Sequence, residues 1–330
     1  MARITVFGAG AAGTALAMHL ARKDEDVVLW GSEHDARVLP GLRDERRHPA
    51  LPEHLPHDVR VLGPEGLEEA GKHAEVALMA ANSAGARSLA RIVTPALHTP
   101  RMAVSIAKGL EPETLKRISE VYAEELGDVP IVAMSGPSLA AEIAEGLTTA
   151  VAFASADEGV CKEAAELFRH RRFLVDTTDD VTGVEICGMG KNVAAIGAGI
   201  LEGLSQHLQQ ENKNPRAALF TRALHELADL CAAMGGRRET AFGLAGVGDL
   251  LVTSLGGRNR MYGEAIGMGA EPDHTLTEMT ARGLTVEGAE SARDVHLLTR
   301  RLGLDLPVHE TVFRVVHEGA APEEILEALR

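Results

Sequence analysis

Short apolar blocks alternate with helix-like segments through the first half of the chain. Ile4–Phe7, Val27–Trp30, Val76–Ala80, Met102–Ile106 and Ile131–Met134 have the length and apolar character of strands buried on both faces of a parallel sheet. Between them Thr14–Arg22, Ala84–Val93, Glu113–Leu126 and Ser138–Glu145 read as helices. Such β-α-β-α alternation predicts a doubly wound sheet. Thr148–Phe153 and Phe173–Val175 extend its edge around a helix at Asp157–His170, while Leu39–His57, rich in Pro, His and Arg, reads as an irregular loop with short helical turns.

From about Val181 the pattern changes. Val184–Leu204 is Gly/Ala-rich and apolar on nearly every side, as a helix buried among helices would be. Glu202–Arg216, with three glutamines, two asparagines and Pro215, reads as a mobile connection or insertion, with Ser205–Asn214 its polar centre. Ala217–Met234 is a long helix closed by Gly235-Gly236, and Glu310–His317 and Ala321–Arg330 are helical. The expected architecture is a doubly wound α/β domain over residues 1–180 followed by an all-α domain over 181–330.

Composition narrows the partners. The formal net charge is −15 and aromatics make up 3% of the chain, which argues against nucleic acid or an anionic membrane as the main partner. An anionic substrate must then be captured by a local positive cluster. No run is expected to approach the roughly 20 apolar residues of a membrane span, and Met1-Ala-Arg leads straight into the first apolar run, an arrangement expected to leave no room for a signal peptide. A cytoplasmic chain is expected. Cys161, Cys187 and Cys231 fit neither a disulfide framework nor a metal site.

The first strand runs directly into Gly8-Ala9-Gly10-Ala11-Ala12-Gly13 and a helix. In that context G-x-G-x-x-G is the dinucleotide-binding (Rossmann) fingerprint: Gly8 for a tight turn, Gly10 for approach to a pyrophosphate, Gly13 for helix–strand packing. Glu33, 20 residues beyond Gly13, stands near where an acid binds the adenosine ribose hydroxyls and leans the expectation toward NAD. It reads equally as an exposed acid opening the next helix. Arg37, one turn on, keeps NADP open.

Between Val184 and Leu201 the only charges are Glu185 and Lys191. An ammonium in that setting is costly unless paired or used, so Lys191 is either a general acid/base on a carbonyl, a phosphate ligand, or half of a structural ion pair with Glu185 or another acid. An amine found buried against a neighbouring carboxylate would overturn the catalytic reading. Asn192 suits orienting a hydroxyl or phosphate. Lys108 follows a strand's carboxyl end, where ligands bind in open α/β sheets; it reads as well as a solvated loop lysine. Ser135-Gly136-Pro137-Ser138-Leu139-Ala140 follows another strand and is expected to open a helix. Gly246–Thr253 and Gly256–Arg260 bring an acid (Asp249), a hydroxyl (Thr253) and the guanidinium of Arg258 into one short stretch; Arg258 suits a phosphate, though alone it reads as a surface arginine.

Taken together, Gly8–Ala17, Lys108-Gly-Leu-Glu, Ser135-Gly-Pro-Ser, Gly190-Lys-Asn-Val-Ala-Ala-Ile-Gly-Ala-Gly, Gly246-Val-Gly-Asp-Leu, Gly256-Gly-Arg-Asn and Val286-Glu-Gly resemble the NAD(P)-dependent glycerol-3-phosphate dehydrogenase family over nearly the whole chain. The resemblance implies reversible reduction of dihydroxyacetone phosphate to sn-glycerol 3-phosphate with NADH or NADPH, supplying phospholipid synthesis, with no metal. It implies Lys191 as proton donor/acceptor. It also implies Lys108, Gly136, Ser138, Asn192, Asp249, Thr253, Arg258 and Asn259 as substrate ligands. Gly8, Gly10, Ala11, Ala12, Gly13, Glu33, Lys108, Ala140, Arg258 and Glu287 would serve the cofactor. The chain departs from the family at Gly257, where many bacterial members have serine, and at Ala81-Asn82-Ser83, where Pro-Ser is frequent. Three readings compete: this dehydrogenase, a related two-domain hydroxy-acid/keto-acid dehydrogenase, and a non-catalytic NAD(P)-binding sensor. A homodimer is left open.

Overall fold

β1 (Arg3–Phe7) is an interior strand, third from one edge, of an eight-stranded sheet in the computed structural model, which describes all residues from Met1 to Arg330. The other strands are β2 (Asp26–Trp30), β3 (Arg60–Leu62), β4 (Val76–Met79), β5 (Met102–Ser105), β6 (Ile131–Ser135), β7 (Thr149–Ala154) and β8 (Phe173–Thr178), in the order β3-β2-β1-β4-β5-β6-β7-β8. All neighbours are parallel except β6 and β7, so β7 and β8 run opposite to the other six. The chain divides into two units, Met1–Val181 and Thr182–Arg330.

In the first unit alternate residues feed two cores. Ile4, Val6, Val27 and Leu29 pack with α1 (Ala11–Ala21) on one face. Phe7, Val28 and Trp30 pack with α2 (Leu67–His73), α3 (Ala86–Val93) and α4 (Ile118–Leu126) on the other. This two-sided burial is why the strands read as apolar runs. Between β1 and β4 the winding reverses direction, the place where open α/β sheets bind ligands. α5 (Ala140–Glu145) and α6 (Glu158–Phe168) complete the unit.

β3 and α2 fall in a stretch, residues 58–75, where no element was expected; a three-residue edge strand with no buried position leaves no pattern to detect. The helix expected from Glu113 starts only at Ile118, because Glu111–Lys116 form a turn in which Glu113 and Leu115 hold positive φ. Ser135–Ala140 leads from β6 into a helix as expected, but the helix starts at Ala140 rather than Ser138: α5 is six residues long. Leu39–His57 holds a short helical turn at Gly41–Glu45 and an isolated bridge, Arg47 to His54.

The second unit is helical: α7 (Val181–Leu208), α8 (Lys213–Ala233), α9 (Asp249–Leu255), α10 (Arg258–Gly267), α11 (Pro272–Ala281), α12 (Glu287–Leu302), α13 (Pro307–His317) and the single turn α14 (Glu324–Glu327). The expected insertion after Glu202 is instead helix on both sides of a short break. α7 continues to Leu208, Gln209 turns with φ +53°, and Pro215 sits in the first turn of α8, where proline is tolerated. Regular helix at the carboxyl end is shorter than Ala321–Arg330. α7 is also long and apolar enough to cross a membrane, contrary to the expectation from the sequence; its apolar window has a mean hydropathy of 1.3 and is 94% buried within the protein.

The glycines of α7 have a packing cause. A Cβ on Gly199 would lie 2.2 Å from the Arg260 carbonyl oxygen, and one on Gly203 would lie 2.1 Å from that of Glu264. Reciprocally, Cβ atoms on Gly263 and Gly267 would meet the Ile196 and Ile200 carbonyls at 2.1 and 2.2 Å. α7 and α10 therefore touch backbone to backbone along a four-glycine seam.

Candidate active site

In the first unit Gly8 has φ +120°, and a Cβ there would lie 2.6 Å from the Ala80 carbonyl oxygen at the end of β4. A Cβ on Gly13 would lie 2.3 Å from the Gly8 carbonyl. Both glycines are thus demanded by the turn between β1 and α1. Gly10 differs, since no atom lies within 4 Å of its missing Cβ. It is the N-cap of α1, provides no side-chain cap, and the first helical turn carries no acid. The positive end of this eleven-residue helix, with Ala11 and Ala12 in its first turn, is left open to a phosphate. The residues present fit a dinucleotide.

Glu33 is exposed at the first position of a short turn after β2, and the capping work there falls to Ser32 and Asp35. Its carboxylate makes no bond within the protein, which suits the ribose reading and the plain surface reading equally. Lys108, after β5, is half-buried; its Nζ donates to the Gly136 carbonyl at 3.1 Å and to Ser138 Oγ at 3.4 Å. Ser138 Oγ donates in turn to the Gly136 carbonyl at 2.8 Å. Three predicted residues from two strand ends thus meet. Ala140 opens α5 two residues on.

In the second unit Lys191 is 6% exposed. Its Nζ donates to Asp249 Oδ1 at 2.9 Å and to Thr253 Oγ1 at 2.8 Å, while Thr253 Oγ1 donates to the Asp249 main-chain carbonyl at 2.7 Å. The amine is buried against a carboxylate, the arrangement that counts against the catalytic reading; that carboxylate is Asp249, a residue the family resemblance itself implies in the substrate site, and the two bonds fix the amine's position. Beside it, Asn259 Nδ2 donates to Asn192 Oδ1 at 2.9 Å, and Asn259 Oδ1 accepts from the Gly288 amide at 2.9 Å. Asn192 Nδ2 makes a long 3.5 Å contact with Glu287 Oε2. A Cβ on Gly288 would lie 2.7 Å from the Asn192 carbonyl, so this glycine lets α12 reach α7. Lys191, Asp249 and Thr253 thus form one hydrogen-bonded cluster and Asn192, Asn259 and Glu287 another, adjacent to it because residues 191 and 192 are consecutive on α7.

Arg258 opens α10 next to Asn259; it is exposed and makes no ion pair within the chain, so its guanidinium is available to an anion. Two features of this unit went unpredicted. Glu226 and His309 form a buried pair behind Gly190, and Cys187 and Cys231 are reduced thiols 3.4 Å apart despite their distance in sequence. No local spacing marks either one, because the partners meet only through helix packing.

A dinucleotide-binding sheet followed in the same chain by a helical unit with a buried lysine amid hydrogen-bonding side chains defines the class of two-domain nicotinamide-dependent dehydrogenases. The family model described as NAD-dependent glycerol-3-phosphate dehydrogenase N-terminus matches residues 3–161, and that described as its C-terminus matches residues 180–327. The chain belongs to this glycerol-3-phosphate dehydrogenase family. It is 38% identical over 336 residues to a glycerol-3-phosphate dehydrogenase [NAD(P)+] of Salinibacter ruber, covering 100% of this chain and 95% of the relative. It is 34% identical over 333 residues to an NADP(+)-dependent glycerol-3-phosphate dehydrogenase of Archaeoglobus fulgidus, covering 98% and 97%. The crystal structure of glycerol-3-phosphate dehydrogenase from Coxiella burnetii is similar, with a TM-score of 0.88, 34% identity and coverage of 99% and 98%.

Proposed function

We propose that the chain reversibly reduces dihydroxyacetone phosphate to glycerol 3-phosphate with NADH or NADPH, feeding phospholipid synthesis. The observation that carries the chemistry is the buried Lys191–Asp249–Thr253 cluster within a chain that the two family models match over residues 3–161 and 180–327. When bound, the nicotinamide supplies hydride to the C2 carbonyl carbon. Lys191 gives a proton to the C2 oxygen as negative charge grows on it, a contribution typically of about 10²–10⁴-fold. Asp249 holds the amine charged and Thr253 fixes its direction, so the ion pair and the acid role are one arrangement. Asn192 and Asn259 orient the substrate hydroxyls, Arg258 clamps the phosphate against the chain's net charge of −15, and Lys108 with Gly136 and Ser138 completes the substrate contacts.

For the cofactor, Gly8, Gly10, Ala11, Ala12 and Gly13 take the pyrophosphate, and Ala140, Glu287, Lys108 and Arg258 contact the dinucleotide. Glu33 would repel a 2′-phosphate, which tilts the preference toward NAD. The acidic surface fits a cytoplasmic enzyme acting on small molecules rather than on nucleic acid or membrane; sedimentation decides between monomer and homodimer. The test is oxidation of NADH and of NADPH, side by side, with dihydroxyacetone phosphate, dihydroxyacetone and a panel of 2-keto acids. Higher kcat/KM for the phosphorylated ketone is expected. A better 2-keto acid would make this a keto-acid dehydrogenase, and no oxidation with any substrate would make it a binding protein.

A further inference from the structure

The carbonyl of Gly190, the residue before Lys191, accepts a second donor from outside its helix. His309 Nε2 on α13 lies 3.3 Å from it, and His309 Nδ1 lies 2.7 Å from Glu226 Oε2 on α8. The His309 side chain is fully buried and that of Glu226 is 7% exposed. Both ring nitrogens thus face oxygen atoms, one of a carboxylate and one of a main-chain carbonyl. Glu226 also accepts the main-chain amides of Val308 at 2.8 Å and His309 at 3.1 Å. It therefore fixes the first turn of α13 and the ring orientation together. The absence of a side chain at Gly190 serves Leu227 rather than the ring: a Cβ there would lie 2.7 Å from Leu227 Cδ1 but in ordinary contact, 3.6 Å, with His309 Nε2.

We propose that Glu226 and His309 are positioning residues for Lys191, pinning the Gly190 carbonyl and with it the lysine-bearing turn of α7. This rests on the reading of Lys191 as the proton donor. A buried polar pair is weak as a source of stability, because desolvation offsets most of its attraction, and an apolar side chain would fill the same space. A capping carboxylate on α13 needs no histidine either. What the imidazole adds is a directional bond to one carbonyl, adjacent to the one buried lysine of α7. The same turn is held on its other side by Lys191 itself, through Asp249 and Thr253 of α9. Two buried pairs thus grip a single turn from two helices, and a proton donor gains from such placement because small displacements cost rate.

The test uses the full-length enzyme with NADH and dihydroxyacetone phosphate, with kcat normalised to folded protein. His309→Leu, which keeps bulk without donors, is expected to lower kcat about 10- to 100-fold, leaving KM and NADH affinity within about threefold. His309→Gln, which restores an amide donor, should recover most of that loss. In a Lys191→Met background His309→Leu should cost less than about threefold more, because the two act as a unit. Glu226→Gln should lower kcat in the same direction and replaces His309→Leu if that variant does not fold. A normal kcat in His309→Leu with only a lowered Tm, no recovery in His309→Gln, or a fully additive loss with Lys191→Met would overturn the positioning role. A normal kcat in Lys191→Met alone would instead remove the proton-donor reading beneath it.

Discussion

Replacing Lys191 by Met separates the two jobs that the structure gives to one amine. The methionine fills the channel of the lysine stem but strips Asp249, itself 2% exposed, of its ammonium partner. Removing one member of a buried pair costs about 3–5 kcal/mol. For a unit of this size, Thr182–Arg330, each kcal/mol corresponds to roughly 2–4 °C, so Tm should fall by about 6–20 °C. Turnover should fall by about 10²–10⁴-fold, the usual weight of a general acid. Adding Asp249→Asn removes the buried negative charge that had faced the amine, and the Lys191→Met/Asp249→Asn double variant should recover most of the Tm while kcat stays low. Calorimetry and NADH oxidation on the same preparations read both quantities. If the double variant recovers rate along with stability, the pair is structural and the acid lies elsewhere; if Lys191→Met keeps its Tm, the buried pair is not what anchors α9 to α7.

Three further outcomes follow from other residues. Arg258→Ala removes an exposed, unpaired guanidinium and should raise KM for dihydroxyacetone phosphate roughly 10- to 100-fold with dihydroxyacetone unaffected, the size of a lost charge-assisted bond; equal effects on both ketones would exclude it as the phosphate clamp. Gly263→Ala places a methyl 2.1 Å from the Ile196 carbonyl and should destabilise by about 1–3 kcal/mol or more, read as a lower urea midpoint, while an unchanged midpoint would refute the tight seam. Asp294 is pushed up to about 7 by burial, with the Glu290 carboxylate adding to it. Its folded form binds the proton more tightly than its unfolded form, so its contribution is most favourable below about pH 4 and is lost as pH rises through 7. Asp294→Asn should therefore gain on the order of 1–2 kcal/mol at pH 8 and little at pH 4, and a pH-independent effect would contradict this.

Strands buried on both faces declare themselves as apolar runs, which made five of the eight readable, with the glycine loop placed correctly between the first strand and helix. β3, three residues at an edge with charged Arg60 at its start, carries no such signature. Pro215 and the glutamines around it look like a loop, yet tertiary packing extends helix through both flanks. Lys191 stood out because Glu185 is the only other charge between Val184 and Leu201, but the chain alone does not say which acid would meet it. Glu226 and His309 were invisible for a plainer reason: 83 residues separate them, and each is an ordinary residue on its own helix. Val184–Leu204 read only as Gly/Ala-rich; that Gly199 and Gly203 face Gly263 and Gly267 appears only in the structure.

That bare contact between α7 and α10 has a consequence for how the enzyme can change. Where backbone meets backbone there are no rotamers to adjust, so the gap between the lysine-bearing helix and the helix that begins with Arg258 behaves as a ruler of fixed length. Acceptance of longer or shorter substrates cannot then come from repacking this joint. It has to come from what is mounted at its ends, which makes residues 256–259 a better place than the helix interior to redesign specificity.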